Sequence, residues 1–433
     1  MANDFQTYLQ TIKRGNFKKL ARIEFLQPDD SVAFALDGNY KSGYMRGRDS
    51  RAFIQDGMLN VSLQNGTRRQ ASITLSNLDD AFEYSVNKLW FGKRMRLLMG
   101  VELPNGNDFY LKQGVFYLKN PQSIFEPTGK TARLSLTDKW AYLDGALFGN
   151  LENSYQVDIG ANIFEAMSGV LSLSKYTLAA TSDKTAMIDG TTPIYTPYYN
   201  DKTYLASESD GSITEDIPMT SVPYTITESG GGTFASLLLS LNDVIVGMIG
   251  YDETGALRVE PSQDDVNDAD KAVIWEFTPE NSGFLGITET VKNTDVYNDV
   301  IVIGEGLTGH QVYGRATNYD AASDTNVNLI GKKTYREERA EYFNAKQCIS
   351  LASWQLKRKT ILQKSVSISS PQMFHLVENR LVSVKRTDKV GAPTEKHLIQ
   401  SFSLPIGQTG AMSINCTSVN DYPVITTESS IGG

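Results

Sequence analysis

Alternating apolar and polar residues run on both sides of the Asn65-Gly66 pair, in the stretch GMLNVSLQNGTRRQASITLSN. Such alternation indicates strands with one buried face, and Asn-Gly between two alternating runs predicts a β-hairpin. Further strand patterns follow at intervals of about 8–12 residues, a spacing that is typical of a small barrel or sandwich. The 21 Tyr and 18 Phe residues also favour strands. The predicted fold class is therefore β-rich α+β.

The charges divide the 433-residue chain into three regions, which we take as domains. Residues 1–150 contain 20 basic and 15 acidic residues (+5), residues 151–290 contain 5 and 22 (−17), and residues 291–433 contain 16 and 13 (+3). A region as acidic as the middle one is unsuited to gripping nucleic acid, because phosphates are bound by Lys and Arg. The prediction is an N-terminal arm with a first β-barrel, an acidic mixed α/β middle, and a strand–helix segment with a second β-barrel.

Five helices are predicted, from apolar residues at helical spacing or from capping residues. They lie near residues 79–89, 160–173, 232–250 and 336–362, and near residues 5–20, where an arm is the alternative. Residues 181–232 are rich in Ser, Thr, Asp, Tyr and Pro, which indicates a long extended arm. The final TTESSIGG is predicted to be a disordered tail.

Two segments of the chain repeat one another. Arg94 begins RMRLLMGVELPNGNDFYLKQGVFYL, with Gln113 lying 19 residues further on; Arg380 begins RLVSVKRTDKVGAPTEKHLIQSFSL, with Gln400 lying 20 residues further on. Each segment reads as strand, charged turn and strand, and each is followed by another alternating strand. Chance similarity between two hairpins is the alternative interpretation. Together with the charge distribution, the repeat predicts two similar small β-barrels that flank the mixed α/β middle.

Few residues of the chain suit catalysis. None of the three His residues has a His or Cys neighbour at metal-ligand spacing, and the two Cys residues read as small core residues. The segment ESGGGTFASLL lacks the Lys of a phosphate loop, and DDVNDAD lacks the central Gly and terminal Glu of a calcium loop. We therefore expect no enzyme, no cofactor and no bound metal. The two Cys residues indicate a reduced, intracellular fold, and the lack of a long apolar run predicts no membrane span.

Basic and aromatic residues near the first hairpin are the candidate binding residues. Arg68 and Arg69 follow the Asn-Gly turn, and the segment LWFGKRMR places Trp90 and Phe91 beside Arg94. The two arginines suit a solvated strand face, an anion contact or a subunit interface, and the aromatics suit either the core or an interface anchor. The candidate subunit-interface residues are Arg68, Arg69, Trp90, Phe91, Arg94 and Arg380.

The order of these parts resembles the baseplate-hub, or tail-hub, proteins of tailed bacteriophages and related injection machines. The first barrel carries NGTRRQASITLSNLD and LSLTDKWAYLDG, and the last third carries NDVIVIGEG, HQVYGRATN and LIGKKTYREERAEYFNAKQC. In that family a strand like NDVIVIG leads to Val-x-Gly-x-Ala, then to Ile-Gly-Lys-Lys, a helix and a final barrel hairpin. The resemblance covers about residues 15–425. The long 181–232 arm and the segment SSPQMFHLVENRL, which lacks the usual Gly-Asp, depart from the family pattern.

The resemblance implies a structural virion protein of the tail tip, made in the cytoplasm of the bacterial host. Its two barrels in each of three subunits would form a homotrimeric ring of pseudo-sixfold symmetry that joins the tail tube to the tip and lets DNA pass. The implied partners are a distal tail or tail-tube protein on one side and tape-measure or tip/fibre proteins on the other. No sequence-specific nucleic-acid binding is expected, and an acidic middle that lined the channel would not hold passing DNA.

Two other functions remain open from the sequence. A carbohydrate-binding or receptor-binding β module of the tail would use the Tyr- and Asp-rich 181–232 stretch. A hydrolase would use scattered carboxylates or Cys348, which the few His residues and the helical setting of Cys348 disfavour.

Overall fold

The structure, a computed structural model, describes most of the chain. The described residues are 2–27, 31–38, 45–46, 53–77, 80, 82–83, 89, 92–127, 129–178, 194–195, 203–207, 213–218, 220–222, 224–262, 273–278, 285–292, 296–306, 310–339, 342, 345–360, 363–385, 394–407, 409–419 and 424–431. No helix in these ranges is both long and apolar enough to cross a membrane.

The first part of the chain is a helix followed by nine strands. They are α1 (Ala2–Arg14), β1 (Lys19–Leu26), β2 (Val32–Asp37), β3 (Met45–Arg46), β4 (Ile54–Ser62), β5 (Arg69–Ser76), β6 (Arg94–Glu102), β7 (Asp108–Leu118), β8 (Gln122–Glu126) and β9 (Gly129–Asp138). A short 3-10 helix, Lys139–Tyr142, follows β9, and the Asp138 side chain caps it by accepting from the Trp140 backbone N–H.

The middle part alternates short strands with two helices. They are β10 (Tyr155–Val157), α2 (Ile163–Leu178), β11 (Ile194–Tyr195), β12 (Thr203–Ser207), β13 (Ile213–Pro218), β14 (Ile226–Glu228), α3 (Phe234–Ile245), β15 (Met248–Tyr251) and β16 (Leu257–Glu260). Both helices predicted here form, but the one predicted over 232–250 ends at Ile245, and the strand β15 begins at Met248. α3 begins at a reciprocal cap, in which Thr233 and Ser236 each accept from the other's backbone N–H.

The last part is again rich in strands. It contains β17 (Val273–Phe277), β18 (Gly286–Lys292), β19 (Asp299–Gly304), β20 (Val312–Asn318), α4 (Val327–Ile330), β21 (Thr334–Arg339), α5 (Ala345–Thr360), β22 (Gln363–Ser370), β23 (Leu381–Lys385), β24 (Thr394–Pro405), β25 (Met412–Ser418) and β26 (Ile425–Ile431).

Two sets of strands share the same spatial order. The first β unit, β1–β9, contains the run β4-β5-β9-β7-β6-β1, and the second β unit contains the run β18-β22-β25-β24-β23-β17. Position by position the neighbours correspond, although β17 is parallel to β23 whereas β1 is antiparallel to β6. The Arg94 hairpin is thus β6–β7 and the Arg380 hairpin is β23–β24, so the predicted repeat is confirmed at the level of strand pairing.

Both glutamines of the repeat lie at irregularities of strand pairing, although the partner strands are not equivalent. Gln113 is the extra residue where the β6–β7 register shifts, and Gln400 is the extra residue where the β24–β25 register shifts. An extra residue in one strand bends that strand and increases its twist, so both long strands bend at the matching place.

The two units are joined edge to edge and share one apolar core. β24 continues past β23 and pairs antiparallel with β4, from Ser401 opposite Ser62 to Pro405 opposite Met58. The buried apolar residues of both units form a single cluster, which also includes Tyr8 and Ile12 of α1. The two units therefore pack as one body, with α1 across them.

A separate sheet of four strands, in the order β21-β19-β20-β26, carries α5. Val300, Val302 and Ala316 pack with Cys348 and Leu351 of the helix in its core. Gly314 of β20 lets the helix backbone come very close, since an added Cβ would lie 2.2 Å from the Ile349 amide nitrogen. The close approach explains why a glycine occupies the centre of a strand.

The structure corrects two predictions here. The helix expected over 336–362 begins only at Ala345, because Thr334–Arg339 forms a strand parallel to β19. The tail predicted to be disordered forms β26, which pairs antiparallel with β20 from Ile425 to Ile431. In both cases pairing with a strand distant in the chain overrides the local pattern.

Two other expectations are met only in part. The helix predicted over 5–20 forms over Ala2–Arg14. Within the predicted 181–232 arm, β12 and β13 form a hairpin, β11 joins β16 and β14 joins β10; the rest of that stretch lies largely outside the described residues. Most of the helix predicted over 79–89 also lies outside them.

Candidate functional site: a buried ionic junction

The tip of the first hairpin meets the middle region. The Asn65 side-chain oxygen accepts from the Ile249 N–H at 2.8 Å, and the Gly66 N–H donates to the Ile249 carbonyl at 3.0 Å. Gly66 has φ +100°, a conformation that favours glycine. The hairpin predicted at Asn-Gly is confirmed, and its turn is a docking point for β15.

Arg68 and Arg69 lie directly after this turn and are buried, with 3% and 1% of their surfaces exposed. Their backbone N–H groups donate to the same oxygen of Asp138, at 2.8 and 3.0 Å. The other Asp138 oxygen accepts from the Trp140 N–H at 3.1 Å. One buried carboxyl group therefore ties the start of β5 to the end of β9 and to the helical turn that leads into the middle region.

The Arg69 side chain joins the two β units. Its Nη2 donates to a carboxylate oxygen of Glu378, which lies in the segment before β23, and its Nη1 donates to the Gln113 carbonyl at 3.1 Å. Glu253 of the middle region is a more distant partner, 3.8 Å from Nη2. Arg68 adds a second contact to Glu378 at 4.0 Å. The bond between Arg69 and Glu378 is a charge-assisted hydrogen bond between buried side chains. Such bonds are stronger than hydrogen bonds between neutral groups.

A second ion pair links the second β unit to the middle region. Arg380 donates through Nη1 and Nη2 to the two carboxylate oxygens of Glu260, at 3.0 and 3.2 Å. Asn379 donates to Glu260 at 2.8 Å and to the Pro261 carbonyl at 3.1 Å, and it has φ +56°. Such left-handed backbone is tolerated by Asn better than by most residues. We call the residues of both ion pairs, with Arg68, Asp138 and Glu253, the ionic junction.

Burial controls the electrostatics of the ionic junction. Burial raises the pKa of Asp138 to about 6, against the effect of the backbone N–H groups that donate to it. Burial also raises the pKa of Glu253, although the Arg69 charge opposes this. Burial lowers the pKa of Arg68, while the Glu378 charge raises it. These charged groups are stabilised by one another rather than by water, so removal of one leaves the charge of its partner uncompensated.

Four of the six candidate interface residues have partners within the single chain. Arg94 is buried and donates to the Gln27 carbonyl at 3.0 Å, whereas Arg380 is about a quarter exposed, with 27% for its side chain. Trp90 and Phe91 lie outside the described residues. Arg68 and Arg69 are interior residues that join the two halves of one molecule, and a role of the six residues in a subunit interface stays a prediction.

The acidic members of the ionic junction were missed by the sequence analysis. Glu260 and Glu378 lie 118 residues apart in the chain and look like ordinary surface carboxylates. The only local hint is the segment VENRL, in which Glu378 and Asn379 directly precede Arg380. It does not reveal that Glu378 binds Arg69, 309 residues away, or that Asn379 binds Glu260, 119 residues away. Asp138 ends a strand, a position that suits a cap, and the cap is observed.

A second contact between the two β units is made by α1. The Tyr8 hydroxyl accepts from the Phe374 N–H at 3.0 Å and is hydrogen-bonded to His375 Nδ1, also at 3.0 Å. The Tyr8 ring packs on Phe109 of the first unit, and the His375 ring lies against Trp275 of the second, with centroids 5.3 and 5.1 Å apart. Burial lowers the pKa of His375 to about 4, so this ring is neutral in the folded protein.

Replacing His375 with Asn is expected to reduce the loss of stability in mild acid. The His375 ring takes up a proton near pH 6.5 in the unfolded state and only near pH 4 in the folded state. The free energy of unfolding is therefore unaffected by this group above pH 6.5 and decreases as the pH falls from 6.5 towards 4. Between pH 7.5 and 5 the wild type should lose about 2 kcal/mol that the variant keeps. Urea unfolding of both proteins at the two pH values measures this. The exposed His310→Asn is the control, and an equal acid response of His375→Asn and wild type would contradict the assignment.

The structure offers little reactive chemistry elsewhere. Burial raises the pKa of Cys348 and of Cys416 to about 12, so both remain thiols at neutral pH and are poor nucleophiles. Among the described residues, no three His, Cys, Asp or Glu side chains are grouped to hold a metal ion. The ionic junction connects the two β units with each other and with the middle region.

The fold is that of phage tail proteins. A tail protein from Neisseria meningitidis has a similar structure, with a TM-score of 0.56 over 94% of this chain and 97% of that chain, at 7% sequence identity. A 43 kDa prophage tail protein from Shewanella oneidensis gives a TM-score of 0.52 over 92% of this chain and 98% of its own, at 11% identity. No family model and no curated protein matches the sequence. The resemblance seen in the sequence is thus confirmed at the level of the fold.

Proposed function

We propose that the chain is a structural tail-hub protein, which forms a homotrimeric ring of pseudo-sixfold symmetry between the tail tube and the tip. The observation that carries this proposal is the matched strand order of the two β units, joined edge to edge through β24 and β4. Two similar units per chain, repeated in three chains, supply six similar positions around one axis. The fold similarity to two tail proteins supports the same class of function.

Each β unit is proposed to be a small barrel. The first unit contains the run β4-β5-β9-β7-β6-β1-β2. A β-bridge joins the two ends of this run: it pairs Gly38, which directly follows β2, with Ile54, the first residue of β4. A sheet that meets its own first strand removes its open edges. The ionic junction then holds the two barrels at a defined angle, which a ring with six nearly equal positions requires.

The proposed partners follow from this placement. A distal tail or tail-tube protein binds one side of the ring, tape-measure or tip/fibre proteins bind the other, and DNA passes through the centre during ejection. The chain acts in the virion, without catalysis. Residues 151–290, with a net charge of −17, would give the channel a surface that repels DNA if they line it.

The native mass and shape of the purified chain test the ring. We expect three copies of the 47.9 kDa chain by analytical ultracentrifugation, and rings with a sixfold outline in negative-stain images. A monomer up to about 100 µM, with no rings on the grid, would contradict the proposal, because stable assemblies of this kind associate well below that concentration.

A further inference from the structure

Several apolar side chains of the last part of the chain are exposed, and four of them lie between residues 319 and 424. They are Tyr319, Leu329, Ile330 and Val424. Leu329 and Ile330 are consecutive residues of α4 and are 67% and 51% exposed. Lys332 and Lys333, both exposed, follow directly. We call Leu329, Ile330, Lys332 and Lys333 the basic patch.

The basic patch lies on a turn that is held unusually firmly. The fully buried Asn298 donates to the carbonyls of Thr325 and Gly331, at 3.0 and 2.7 Å, and accepts from the Lys333 N–H at 2.8 Å. Asn326 caps α4 by accepting from the Asn328 N–H. The buried Asn298 side chain thus forms hydrogen bonds with both ends of the turn. A rigid turn that exposes two aliphatic side chains loses little entropy on binding, which is a property of contact surfaces.

A complementary surface is present on the middle region of the same chain. Ile159 is 56% exposed, and the exposed carboxylates Asp158 and Glu165 lie on either side of it in the sequence. This turn is also fixed: the Gly160 N–H donates to the Val222 carbonyl at 2.7 Å, and Asn162 accepts from the Glu165 N–H at 3.2 Å. We call Asp158, Ile159 and Glu165 the acidic patch.

We propose that the basic patch of one copy docks on the acidic patch of the next copy. Each patch has an apolar centre and charged neighbours, and the charges are opposite, so burial of Leu329 and Ile330 against Ile159 would bring Lys332 and Lys333 towards Asp158 and Glu165. The two surfaces differ from one another, so the contact is head-to-tail, which produces a ring when the rotation between successive copies closes. The inference rests on the proposed ring and identifies a contact that closes it.

Charge reversal tests the contact through sedimentation equilibrium of the full chain. Lys332→Glu with Lys333→Glu, and separately Asp158→Lys with Glu165→Lys, should each raise the dissociation constant of the assembly about tenfold or more. The chain that carries all four changes should assemble within about threefold of wild type, because opposite charges face each other again. The matched control is Arg336→Glu with Glu338→Arg, an exposed pair on β21 whose reversal leaves assembly unchanged.

The outcomes separate this contact from the ring itself. Loss in both double variants with recovery in the fourfold variant supports the contact. A wild-type assembly that is insensitive to the double variants, or a fourfold variant that stays dissociated, overturns the contact and leaves the ring standing. A wild-type chain that is monomeric at all concentrations overturns the ring and the contact together. Thermal unfolding of every variant at the wild-type temperature excludes misfolding as the cause.

Discussion

Replacing Glu378 with Gln is expected to lower the free energy of unfolding by about 3–5 kcal/mol, the cost of breaking a buried ion pair from one side. The Gln side chain keeps the shape of Glu378 but not its charge, so Arg69, only 1% exposed, loses its close counter-ion. Glu253, at 3.8 Å, offers only partial compensation. Urea unfolding of the purified variant at pH 7.5 measures the effect.

The matched control is Glu338→Gln. Glu338 pairs with Arg336 at 2.8 Å, but both side chains are more than half exposed, so its loss should change stability by less than about 0.5 kcal/mol. A double variant, Arg69→Met with Glu378→Leu, removes the close ion pair and should recover part of the lost stability, because Arg68 still loses its contact with Glu378 at 4.0 Å. Equal effects of Glu378→Gln and Glu338→Gln would show that Arg69 does not depend on Glu378.

Replacing Gly314 with Ala is expected to destabilise the chain by about 3 kcal/mol, at the upper end for an added methyl group in a packed interior. The new Cβ would lie 2.2 Å from the Ile349 nitrogen and 2.4 Å from the Cys348 carbonyl carbon, which are backbone atoms of α5. A flexible side chain could turn away from the methyl group, but the helix must move as a whole. Chemical denaturation measures the loss of stability, and hydrogen exchange should locate it at α5 and β20.

Gly286→Ala is the control for this substitution. Gly286 also lies in a strand, and an added Cβ would meet no atom within 4 Å, so the change should stay within about 0.5 kcal/mol. If Gly314→Ala were as mild as Gly286→Ala, the helix would not sit against β20 as the structure places it.

The local patterns of the sequence predicted many elements correctly. The hairpin around Asn65-Gly66 and the helices α2 and α3 form where alternation, apolar spacing or turn residues indicated. Each of these signals arises from contacts within a few residues, which is why one sequence suffices to read them. The strand β21 and the strand β26 were misread because each is stabilised by a neighbour far away in the chain.

The candidate site divides in the same way. The sequence marked Arg68, Arg69 and Arg380 as candidate subunit-interface residues, with a solvated strand face or an anion contact as alternatives for the first two. Their partners within the chain are Glu378 and Glu260, and nothing in the spacing of these residues encodes the pairing. Long-range pairing depends on how the strands are arranged in space, and that arrangement is a property of the whole fold.

The sequence by itself therefore determined the β-rich class, the repeated hairpins at Arg94 and Arg380 and the acidic middle, since each depends on composition or short-range periodicity. Only the tertiary structure decided that β24 joins β4, that α1 packs across both units and that Arg69 is an interior residue. The physical reason is burial. A charged or polar side chain far from water must find its partner wherever the fold brings one, and the chain order does not say where that is.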